Sequence, residues 1–134
     1  MLLNALCILS VAGVVVTKAA DLWTTWRHVS ADSETNPVGR FLFRRIGVGG
    51  GIVVVGALAL LLIAASWWAA IAMGPAGMIF LAAWSLVISV VQAGVAHHNA
   101  TGRPNLVTRR VAALHSRWSH WLLSRRAPVA RRAS

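Results

Sequence analysis

The side chains able to do chemistry in this chain are few, and most of them crowd one stretch. All three acidic residues, Asp21, Asp32 and Glu34, lie there, together with Thr24, Thr25 and His28 and the polar run Ser30 to Pro37. Asp21, His28, Glu34 and the His97-His98 pair offer oxygen and nitrogen donors of the kind that bind metals. Adjacent histidines on a helix diverge by about 100°, however, so His97 and His98 do not face one ion together. The chain has no His-x-x-x-His, no Glu-x-x-His and a single cysteine, Cys7. No metal site and no cofactor are therefore expected, and haem or pigment is disfavoured because no histidine falls in the middle of an apolar run. Nor is an enzyme expected. The glycines Gly47 to Gly51 lack the Lys-Ser/Thr of a phosphate loop, and the serines near Ser85 have no base beside them, so no catalytic residue is assigned.

The elements that position these residues follow from composition. Of the 134 residues, 57% are hydrophobic and 12% charged, with a mean hydropathy of +0.68, which is too apolar for a soluble globule. One cysteine excludes a disulfide scaffold. There are 13 Lys and Arg against 3 Asp and Glu, a formal net charge of +10. In a bilayer protein such an excess reports sidedness, so nucleic acid is not the expected partner.

Three stretches reach the length of about 20 apolar residues that spans a bilayer, at about 2–28, 46–73 and 76–96. The sequence thus predicts an all-α integral membrane protein with a three-helix transmembrane domain over residues 1–98. Gly74-Pro75-Ala76-Gly77 makes the last two spans a tight hairpin. Lys18-Ala19-Ala20 before Asp21 has the look of a signal cleavage site, but no basic residue precedes the apolar run, so the first span is expected to stay uncleaved. Every charge lies between Lys18 and Arg45 or after His98. With three spans those regions share one side, which the positive-inside bias makes the cytoplasm of a bacterial inner membrane, with the N-terminus out and the C-terminus in.

At 100° per residue, Ser10, Gly13, Thr17, Asp21, Thr24 and His28 form one seam of the first helix, with Trp23 and Trp26 opposite. The third helix carries Ser85, Ser89, Gln92, Ala96 and Asn99 in a stripe. Small residues let helices approach and polar ones need partners in lipid, so Gly13, Thr17, Gly47, Gly51, Gly56, Ser85, Ser89 and Gln92 are expected at helix contacts. Lys18, one turn before Asp21, is placed to pair with it.

Asp21-x-x-Thr24-Thr25 at the end of the first helix, followed by Glu34-x-Asn36-Pro37, resembles an uncharacterised family of small bacterial integral membrane proteins with an Asp-x-x-Thr patch and a Glu-x-Asn-Pro loop. The resemblance implies that Asp21, Thr24, Thr25, Glu34, Asn36 and Pro37 act as one unit joining helix to loop. It does not extend to the basic C-terminal region, where eight of the 13 Lys and Arg residues lie.

There, residues 104–126 place Val107, Val111, Leu114, Trp118, Trp121 and Leu122 on one helical face, with Arg109, Arg110 and Arg117 elsewhere. Asn105 or Thr108 suits the N-cap. This pattern predicts a basic amphipathic interfacial helix whose Arg109, Arg110, Arg117, Trp118 and Trp121 bind anionic membrane lipids or a partner. Residues 127–134 have no apolar pattern and read as a loose basic tail. The expected function is a non-enzymatic accessory or assembly subunit of a larger membrane complex, and the expected partners are anionic membrane lipids and other membrane subunits or further copies of the chain. The alternative is a small oligomeric transporter or ion-conducting protein using Asp21, Thr24, Thr25 and Gln92.

Overall fold

A computed structural model describes residues 1–34, 36–111 and 113–114. The protein is all-α: α1 spans Leu2–His28, α2 Pro37–Ala72 and α3 Gly74–Thr101, and residues 106–111 form a short further helix. Each of the three long helices is long and apolar enough to cross a membrane. The chain therefore has the make-up of a multi-pass membrane protein.

Local signals explain the boundaries. Arg27 and His28 occupy the last turn of α1, where the carbonyl end of the helix dipole favours cations. The Asn36 side chain accepts a hydrogen bond from the Val38 N–H at 3.0 Å, and Pro37 supplies the pre-set φ of a first helical residue. Between α2 and α3 the chain turns on Gly74 at φ +70, a conformation costly for any residue with a Cβ. Pro75 then opens α3.

The second span differs from its expected start near Ile46. Its helix begins at Pro37 and has 36 residues, about 54 Å at 1.5 Å per residue, far beyond a hydrocarbon core of about 30 Å. Gly47, at φ 76 and ψ 165, breaks it into two. Counting apolar residues finds the part after Gly47 and misses the amphipathic turns before it. Beyond the break the Phe43 ring folds back onto Gly51, where a Cβ would collide with it, and Phe43 is 6% exposed. The third helix also outruns its expected 76–96, because the polar residues from His97 to Thr101 continue the helical ladder after the apolar run ends.

The most extensive interface joins α1 and α3. Its hydrogen-bonded pairs, Cys7–Met78, Thr17–Gln92 and Thr25–Asn99, are separated by 71, 75 and 74 residues. A near-constant separation means the two helices run parallel and in register. Burial falls at Cys7, Ser10 and Val14 on α1 and at Met78, Leu81 and Ser85 on α3, a spacing of three then four residues on both. That is the spacing of a left-handed supercoil seam, in which Cys7, Ser10, Ser85 and the approach of Gly13 to Ser89 let the backbones close up beside the larger Met78 and Leu81. The apolar core of Cys7, Ala70, Met78 and Leu81, with Leu3, Val11, Trp67 and Ala82 against it, sits at the uncharged end.

Candidate functional site

The charged end of the bundle holds the polar chemistry. The Thr17 hydroxyl donates to Gln92 Oε1 at 2.9 Å, and Asn99 Nδ2 donates to Thr25 Oγ1 at 3.0 Å. Between these levels Lys18 Nζ meets Asp21 Oδ2 at 2.8 Å, and both side chains are mostly buried. A buried ion pair is costly to break, since either partner left alone keeps its desolvation cost without its attraction. Thr24 turns back to the carbonyls of Ala20 and Asp21.

The loop closes on itself and on the start of α2. Ser30 and Ser33 exchange side-chain and backbone bonds, Glu34 Oε1 accepts from the Asn36 N–H at 2.8 Å, and Arg40 Nε donates to the Glu34 carbonyl at 2.8 Å. The six residues of the expected helix-to-loop unit thus fall into separate groups. Asp21 pairs within α1, Thr25 bonds to α3, and Glu34 with Asn36 caps α2, which Pro37 opens.

The packing residues divide in the same way. A Cβ at Gly13 would stand 3.3 Å from Ser89 Oγ, and one at Gly56 would stand 3.2 Å from Leu22 Cδ1, so both glycines lie at contacts between helices. Ser85 is buried, at 4% exposure. Gly47 and Gly51 correct the expectation of a small-xxx-small contact with a neighbouring helix. Nothing lies within 4 Å of a Cβ at Gly47, and Gly51 faces Phe43 of its own helix. Because Gly56 stands level with Leu22, Gly47 to Gly51 lie nearer the charged end than Asp21 and Gln92 rather than beside them.

Two features lay outside the sequence reading. The first is Gly94, against which Val107 packs while Asn105 Nδ2 donates to its carbonyl at 2.6 Å. Asn105 also caps the short helix, its Oδ1 accepting from the Thr108 N–H at 2.9 Å. The chain after Gly102 therefore doubles back down α3 before turning outward. The second is a shallow cavity of about 450 Å³ lined by Arg40, Phe41, Arg44 and Arg45. The i, i+4 pair Arg40 and Arg44 just after Asn-Pro is the sequence signal that could have revealed it.

Arg109 and Arg110 are exposed on the short helix. Arg117, Trp118, Trp121 and the rest of the expected interfacial helix and basic tail lie outside the described residues. Among the described residues no three His, Cys, Asp or Glu side chains gather as metal ligands, and His98 Nδ1 is buried without a hydrogen-bond partner. The fold defines the class, a multi-pass α-helical membrane protein. The chain matches no protein-family model, no curated protein and no solved structure.

The Thr17–Gln92 bond is expected to be measurable. A double-mutant cycle of Thr17→Val and Gln92→Leu, read by reversible unfolding in detergent, should give a coupling of about 0.6 kcal/mol, typical of such bonds between membrane helices. A coupling near zero would mean that both groups are solvated from elsewhere.

Proposed function

We propose that this chain is a non-enzymatic accessory or assembly subunit of a larger membrane complex, sitting in a bacterial inner membrane with its N-terminus out and its basic C-terminal region in the cytoplasm. One observation carries the reading. Most polar groups at the helix contacts are spent within the bundle, Cys7 on the Met78 carbonyl, Thr17 on Gln92, Lys18 on Asp21 and Thr25 on Asn99, with His98 Nδ1 the buried exception among the described residues. A pathway for solute or ion needs polar groups left free to meet the traveller, and a catalytic centre needs a free nucleophile or base. Groups committed to packing suit a scaffold. The orientation draws on the charge distribution, and anionic lipid is the proposed companion of the exposed Arg109 and Arg110.

Purification of the full-length protein from its native membrane in mild detergent tests this. A second polypeptide in fixed stoichiometry is the expected result. A homogeneous oligomer of this chain alone would overturn it and favour the ion-conducting alternative. In that case Asp21→Asn should change ion flux in liposomes.

A further inference from the structure

We propose that Arg40, Arg44 and Arg45, with Phe41, form a binding site for the phosphate of an anionic phospholipid headgroup. This inference does not depend on the accessory-subunit reading. It starts from the ten residues between Asn36 and Gly47. At 100° per residue, Arg40, Arg44, Phe41 and Arg45 share one arc of the helix, and Val38, Leu42, Ile46 and Phe43 fill the opposite one. This short amphipathic helix is set off from the span by the break at Gly47.

Its depth follows from the packing. Gly56 stands against Leu22, and Gly47 is nine residues nearer the charged end, about 14 Å along the axis. Six residues separate Leu22 from the end of α1 at His28, about 9 Å by the same rise. The arginine cluster therefore begins about 5 Å beyond the end of α1. Trp23 and Trp26 stand exposed on α1 about one and a half turns and half a turn before that end, at the level where aromatic residues mark the edge of the hydrocarbon. That is headgroup depth.

The shallow cavity is lined by Arg40, Phe41, Arg44 and Arg45. Arg45 lies over the Phe41 ring, 5.5 Å from its centroid, a cation–π contact that fixes the side chain while leaving its N–H edges free. Arg40 spends Nε on the Glu34 carbonyl, and its terminal nitrogens make no bond among the described residues. Arg44 meets Asp32 at 3.2 Å, with both side chains exposed at 62% and 88%, so the pair is weak and replaceable. Guanidinium forks bind phosphate oxygens in pairs, and a phosphodiester seated here would face three arginines where Asp32 meets one. Exposed Phe41 would meet the upper acyl chain of the same lipid.

The test uses full-length protein in maltoside detergent, titrated separately with phosphatidylglycerol, phosphatidylcholine and inorganic phosphate, with retained ligand counted by native mass spectrometry. Wild type is expected to hold one phosphatidylglycerol that Arg40→Gln/Arg44→Gln/Arg45→Gln holds roughly tenfold more weakly or loses. Arg103→Gln, at an exposed arginine outside the cluster, should keep it. Asp32→Asn, which frees Arg44 without touching the arginines, should tighten retention roughly two- to fivefold by removing a competing negative charge. Equal retention of phosphatidylcholine, unchanged retention in the triple variant, or weaker retention in Asp32→Asn would each overturn the site. Displacement of the lipid by millimolar inorganic phosphate would overturn the lipid as its ligand.

Discussion

Gly77→Leu is expected to force α2 and α3 apart and to convert Cys7 from an unreactive thiol into a reactive one. A Cβ at Gly77 would stand 2.6 Å from the Ala70 carbonyl oxygen, 2.7 Å from Met73 Cβ and 3.0 Å from Ala70 Cα. Two of those three atoms are backbone and cannot rotate away. The hairpin closes directly through Met73 and Gly74, so there is no slack in which to slide. Overpacking a close contact costs about 1–3 kcal/mol, more where the obstacle is main chain. Cys7 reads the result, since it is fully buried and packs with Ala70, Met78 and Leu81. Labelling by N-ethylmaleimide in mild detergent should accelerate by roughly one to two orders of magnitude, following the rise in the open population. Gly49→Leu is the control, because nothing lies within 4 Å of a Cβ there, and its labelling should match wild type. Unchanged labelling in Gly77→Leu would show that the hairpin has room to spare.

The second large effect belongs to Gly94→Leu, which should detach the returning segment from α3. The added Cβ would lie 2.8 Å from Val107 Cβ and 3.0 and 3.1 Å from its two methyl carbons. A β-branched side chain has no rotamer that clears its own Cβ. Displacing Val107 also strains the bond from Asn105 to the Gly94 carbonyl. Trypsin cleavage after the exposed Arg109 and Arg110 should then rise roughly tenfold, the open fraction following a cost of about 1–3 kcal/mol. Cys7 labelling should stay slow, because the contact lies at the other end of the bundle. Gly94→Ala combined with Val107→Gly, which removes the Cβ met at 2.8 Å, should cleave more slowly than Gly94→Ala alone. Failure of that rescue would move the cause away from the contact.

The contrast between these glycines shows what the sequence makes legible. The three spans are plain from apolar run length, because a bilayer of fixed thickness imposes a fixed number of residues. The seam of α1 is legible too: Ser10 and Thr17 share a helical arc, and both lie in the packed interface with α3. Glycines are different. Gly47 and Gly51 have the spacing of a helix contact, yet Gly47 takes a positive φ and Gly51 makes room for Phe43. Gly94 sits in no motif and makes the close contact instead. A glycine's role is set by what arrives beside it from elsewhere in the chain, and local pattern carries no record of that. Arg40, Arg44 and Arg45 escaped notice for a related reason. Summed as charge they speak only of sidedness, and it takes a helix that begins at Pro37 rather than near Ile46 to bring them onto one arc.

The parallel pairing of α1 with α3 has a consequence for how the protein is made. Thr17 meets Gln92, a partner 75 residues downstream, and Cys7 meets the Met78 carbonyl, 71 residues downstream. At about 5–20 residues per second, α1 waits roughly 4–15 s after its own synthesis before that partner exists. Throughout that interval its polar seam faces lipid or whatever the insertion machinery provides. The last helix to emerge is thus the one that completes the first. A nascent chain stalled between α2 and α3 would present an unfinished membrane helix for as long as it stalls, the kind of intermediate that quality control in the membrane is built to find.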